Sequence, residues 1–149
     1  MREEFIQEHH ASDHVRIDEY FKQYQENKTK DFVMAAKFFH RFRQALKRHI
    51  VWEEEILFPI FEDLNKSRGK ELTKKMRQEH DEIEAALNSL AAEIDNKNLQ
   101  TQKEEEKLIR AFKNHNEHEE RDFYPALDNL VADKNQLENF ARQNLSAID

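Results

Sequence analysis

Apolar residues recur along this chain in steps of three and four, the period of one helix face, and two-residue alternation is nowhere sustained. The pattern predicts a first helix from about Glu3 to Glu26, with Ile6, His10, His14, Ile17, Phe21 and Tyr24 along one stripe. NKTKD reads as a loop whose Asp31 caps the next helix. That second helix runs from about Phe32 to Leu64, its stripe passing through Ala35, Phe38, Phe42, Ala45 or Leu46, His49, Glu53, Ile56 and Ile60. NKSRG, ending at Gly69, is the clearest break. A third helix spans about Lys70 to Asn96 through Leu72, Met76, His80, Ile83, Leu87, Leu90 and Ile94. The fourth spans about Thr101 to Val131 through Leu108, Phe112, His115, Glu119, Ala126 and Leu130. Leu137, Phe140 and Leu145 suit a short closing helix over about 134–147. Short loops between long helices favour antiparallel neighbours, so the expected fold is all-α, an up-down-up-down four-helix bundle over about 3–131 within one domain. Pro59 and Pro125 fall inside helical patterns, and each is expected to mark a kink or local break.

Composition supports this architecture. With one Gly and two Pro, turns are scarce. Charged residues make up 37% and apolar ones 38%, a balance that suits long helices burying one stripe each. Eleven Phe argue for a packed core over disorder. The formal charge of −7 gives no electrostatic basis for binding nucleic acid or an anionic membrane surface. The absence of Cys excludes disulfides, thiolate metal sites and iron–sulfur clusters. MREEFIQEHH has no apolar signal-peptide run, and no stretch approaches the roughly 20 apolar residues that span a bilayer, so a cytoplasmic location is expected.

The chemistry lies in a repeat. HIVWEEEILFP starts at His49, and HNEHEERDFYP starts 66 residues later at His115. The same offset relates His14 to His80 and Asp18 to Glu84. Four histidines therefore fall in the apolar stripes of four different helices, and Glu53 and Glu119 each follow a histidine by one turn. A spacing of four puts both side chains on one face, about 5–6 Å apart at Cβ. Six polar groups in a core would each cost several kcal/mol if unpaired, on the order of a buried lone carboxylate, and a cation removes that cost. Imidazole with carboxylate suits iron, manganese, zinc or copper. Ferritin-like bundles use Glu-x-x-His instead, which occurs nowhere in this chain.

His14, HIVWEEEILFP, the pair EH ending at His80, and HNEHEERDFYP together resemble the hemerythrin-like, or HHE cation-binding, domain, over about His10 to Leu130. The resemblance implies a bundle around two non-haem iron ions, oxo- or hydroxo-bridged. Glu53 and Glu119 would bridge them, and His14, His49, His80 and His115 would cap them. Oxygen-carrying hemerythrins place a further histidine one turn after the one on the third helix, and here that position is Glu84. Four histidines, two bridging carboxylates and one bridging oxygen fill about ten of roughly twelve positions around two octahedral metals. Glu84 is thus a candidate seventh ligand, and as a carboxylate it would favour higher-valent iron.

The remaining polar candidates have lesser expected roles. His118 reads as a flanking group or a partner of a ligand, and His10 as a residue near the mouth of the site or a hydrogen-bond partner of a ligand. Asp18 reads as a helix-boundary acid. His9, His40, Glu54, Glu55 and Glu120 read as solvated, and Trp52, Ile56, Phe112 and Phe123 as core that could line a dry pocket. Two functions follow: binding of dioxygen for storage, sensing or buffering, or a di-iron oxidase or peroxide-handling enzyme. Buffering of iron or zinc is a third.

Overall fold

A computed structural model of the chain describes residues 4–98 and 100–130. The expected closing helix over about 134–147 lies outside these residues. The described residues are all-α: α1 (Glu4–Asn27), α2 (Phe32–Trp52), α3 (Phe58–Leu64), α4 (Gly69–Asp95), α5 (Gln102–His118) and α6 (Tyr124–Leu130). Two π-helical turns, π1 (Glu53–Leu57) and π2 (Glu119–Phe123), join α2 to α3 and α5 to α6. The four expected helical stretches are therefore present, the second and fourth each carrying a π turn. Among the described residues no helix is long and apolar enough to cross a membrane. The chain contacts fall into two compact units, one ending at Leu57 and the other beginning at Phe58.

The first unit is a helical hairpin. Asp31 caps α2, its side chain accepting from the Met34 N–H at 3.2 Å. Asn27 O accepts from the N–H groups of Lys30 and Asp31, which closes the turn. Beyond it α1 and α2 pack antiparallel: Tyr24 meets Phe39 with ring centroids 5.6 Å apart, and Phe21 meets Phe42 at 4.9 Å. Ile17, Ala35, Leu46 and Ile50 complete this core. The expected stripe is corrected at one place. Phe39 is fully buried, while Phe38 is half-buried with the Arg41 guanidinium over its ring. A step of four from Ala35 stays closer to the buried direction than a step of three does here.

The second unit is built on α4. Asn65 organises the turn before it, its side chain accepting from the Arg68 N–H and its carbonyl from the Gly69 N–H. A Cβ at Gly69 would lie tightly against backbone, 3.0 Å from Glu62 Cα and 3.2 Å from Phe61 O. Thr73 and Arg77 on α4 both donate to Glu62 Oε2, which ties α3 to α4. Phe58, Phe61 and Phe123 form an aromatic cluster with centroid distances of 5.1–5.3 Å. At its other end α4 closes in a Schellman motif: the Lys97 N–H donates to Ile94 O and the Asn98 N–H to Glu93 O. Lys97 takes the left-handed position at φ 61° that glycine favours.

The π turns explain both the prolines and a slip in the predicted stripe. Each begins at one of the motif glutamates and ends just before Phe58-Pro59 or Tyr124-Pro125. The Tyr124 N–H reaches back five residues to Glu119 O. A π turn inserts one extra residue into the α period. The buried positions therefore shift by one, to Leu57 and Phe61 in place of Ile60, and to Phe123 and Leu127 in place of Ala126. Each proline becomes the second residue of a fresh α segment, in the first turn, where the missing N–H is tolerated. The local breaks expected at the prolines are thus π turns, with helix continuing on both sides.

Lys97→Gly should raise unfolding free energy by about 0.5–1 kcal/mol, since a non-Gly residue in the left-handed region costs roughly 1–2 kcal/mol and the added unfolded-state entropy offsets part of that. Gly69→Ala should lower it by about 1–2 kcal/mol despite alanine's higher helix propensity, because the clash is with helix backbone. Urea titration of both variants checks the two signs.

Candidate metal centre

Each unit carries one half of the motif set at the polar end of its helix pair. In the first, His49 on α2 is buried, with Glu53 one turn later at 0% exposure. Glu53 Oε2 lies 3.3 Å from His49 Nε2. The opposite ring nitrogen, His49 Nδ1, is 3.0 Å from Asp13 Oδ2 on α1. His10 and His14, also on α1, complete the group, with rings 4.0 Å from each other and each 5.4 Å from His49. One ligand nitrogen from each of the three histidines lies within 4.8 Å of the others. Burial, then the neighbouring His14 and His49, push the His10 imidazole down to about 3, so it is neutral and holds a lone pair at ordinary pH.

The second unit repeats the arrangement. His115 on α5 and Glu119 are buried, with His115 Nε2 3.2 Å from Glu119 Oε2. His115 Nδ1 lies 2.7 Å from Glu79 Oε1 on α4. His80 Nε2 is 3.0 Å from His115 Nε2, and the His80 ring stacks on Phe58 at 5.6 Å with 10° between planes. His118 Nδ1 bonds the other oxygen of Glu79. Burial raises the Glu79 carboxyl's pKa, but the bonds from His115 and His118 and their charge outweigh this and hold it below the usual glutamate value.

Asp13 is a partner that helix periodicity does not single out, and Glu79 stands in the motif only as the residue before His80, yet both obey the repeat: they are 66 residues apart, and each precedes a motif histidine. Each reaches the histidine 36 positions further on. An acid immediately before His14 and again before His80 was the available signal.

This geometry tests the fit to a cation. A carboxylate accepting at Nδ1 fixes the proton there and leaves the Nε2 lone pair pointing at a second carboxylate, at 3.2–3.3 Å in both units. Two acceptors that face each other repel, and a proton or a metal ion between them turns the contact favourable. The donors are imidazole nitrogen and carboxylate oxygen, which suits first-row transition metals.

The structure brings His14 and Glu53 each to His49 in one unit, and His80 and Glu119 each to His115 in the other. Glu84 is half-buried one turn beyond His80 and is not among the grouped ligand atoms of the described residues. Asp18 is exposed in the middle of α1 instead of at a helix boundary. His40, Glu55 and Glu120 are exposed and Glu54 is half-buried. Trp52 and Ile56 are buried in the first unit and Phe123 in the second, while Phe112 is half-buried.

Two buried histidine–carboxylate half-sites on helices define a cation-binding helical protein. A model of the hemerythrin HHE cation-binding domain matches residues 6–127, and the chain belongs to that family. Its all-α fold is of the hemerythrin-like class. No curated protein and no solved structure gives a match.

Asp13→Asn and Glu79→Gln should each weaken metal binding about 10–100-fold, the usual effect of removing the partner that orients a ligand imidazole. Competition against a chelator of known affinity measures it, and wild-type affinity in both variants would remove these acids from the site.

Proposed function

We propose that this protein holds two non-haem iron ions and binds dioxygen, for storage, sensing or buffering. His14 and His49 would serve one iron, His80 and His115 the other, with Glu53 and Glu119 bridging as family membership implies. Supporting this is one observation above all: in each unit an acid commits the far ring nitrogen of a buried histidine, leaving its near nitrogen to face a motif glutamate. Such an imidazole is oriented and made more basic before any metal arrives. Iron bound there would supply Lewis acidity and the electrons for reversible oxygen binding.

The chain's own residues set the surroundings. Asp13 and Glu79 hold the imidazole planes and favour the tautomer with its proton on Nδ1. Phe58 flattens His80 against the aromatic cluster. His118 bonds the second oxygen of Glu79 from a position near the surface, at 19% side-chain exposure. An oxidase or peroxide-handling reaction remains the alternative reading, and Glu84 would be its distinguishing ligand.

The test is iron content per chain with visible spectra after anaerobic Fe(II) loading. About two irons per chain, with absorption that appears in air and bleaches under argon, is the expected outcome. Absorption that decays irreversibly while consuming oxygen would favour the enzyme. One zinc, or no iron after loading, would overturn the proposal.

A further inference from the structure

We propose that His10 is a fifth histidine ligand, completing a three-imidazole face with His14 and His49 on the metal of the first unit. The proposal rests on the di-iron reading above and adds a ligand to it. Its basis is placement. His10 is only 7% exposed although it lies near the start of α1. It is one turn before His14, on the same helix face, and its ring is as close to His49 as that of His14 is. One nitrogen from each of the three rings falls in a group 4.8 Å across, the spread expected of donors around one ion.

The repeat sharpens the point. Every other element of the first half-site has a chemical equivalent 66 residues on: Asp13 and Glu79, His14 and His80, His49 and His115, Glu53 and Glu119. The equivalent of His10 is Met76, fully buried and apolar. A histidine that served packing alone would have no reason to turn three imidazole rings toward one another where its mate fills the same position with a thioether. The asymmetry instead adds a donor to one metal only. It also resolves the coordination count. With Glu84 outside the grouped atoms, four histidines leave about two open positions on the pair, and His10 reduces them to about one. That single open position would be on the metal of the second unit, where His80 and His115 are the imidazole donors.

The measurement is the number of imidazoles per iron, read from histidine multiple scattering in the iron X-ray absorption spectrum of the full chain loaded anaerobically with Fe(II). Wild type should give about 2.5 per iron, five histidines shared by two ions, and His10→Met about 2. In a chelator competition His10→Met should weaken one of the two irons by at least about 100-fold, more than loss of an orienting partner would. Methionine is the residue the other half uses, which favours folding of the variant, and circular dichroism of the metal-free protein checks it. Should the variant not fold, the wild-type count alone decides. A wild-type value of about 2, or two irons bound by His10→Met with unchanged affinity and count, overturns the inference while leaving the di-iron site intact. Failure of wild type to take up iron overturns both.

Discussion

A buried histidine held between two carboxylates is the interaction on which this structure depends. One acid takes the Nδ1 proton and another faces Nε2, once around His49 and once around His115. The arrangement is unfavourable in a core unless positive charge sits on Nε2. The hydrophobic packing of each helix pair therefore supports a polar end whose nitrogen and oxygen donors suit a cation. In the first unit Phe21, Tyr24, Phe39 and Phe42 pack beyond the histidine layer. In the second, the Phe58, Phe61 and Phe123 cluster lies against it and stacks directly on His80.

The π turns are the second constraint. Each starts at the glutamate of a His-x-x-x-Glu pair, so the histidine belongs to an α segment and the carboxylate opens a wider turn. That keeps the i, i+4 pairing on the α side and re-registers the helix on the other. The proline that follows each motif is the sequence trace of this device, because it disfavours continuation of the α ladder across that point. A π turn costs hydrogen-bond geometry and is uncommon in helices without a local use. Its occurrence at equivalent glutamates in both units links it to the His-x-x-x-Glu pairs.

The two halves are alike in scaffold and unlike in detail. The acids that orient His49 and His115 differ in length, Asp13 against Glu79. The second oxygen of Asp13 accepts from Arg16, whereas that of Glu79 bonds His118. His118 has Trp52 as its equivalent in the first half, buried and packed near His49. The half with the apolar Trp52 thus carries the additional histidine on α1, and the half with Met76 carries the polar His118. Unlike surroundings make the two half-sites chemically distinct.

By itself the sequence determined the helical class, the places of the four long helical stretches, the Asp31 cap, and the histidines and glutamates that gather at the polar ends. All of these follow from helix periodicity, short-range capping, or a motif written twice, and each is local information. Tertiary structure alone decided three things. Phe39 rather than Phe38 enters the core, because adjacent residues differ by about 100° around a helix and only packing selects between them. The stripe slips after Glu53 and Glu119, because an α period contains no record of a π turn. Asp13 and Glu79 reach histidines 36 residues away, because that contact depends on the register between two packed helices, and register is set by how their side chains interlock.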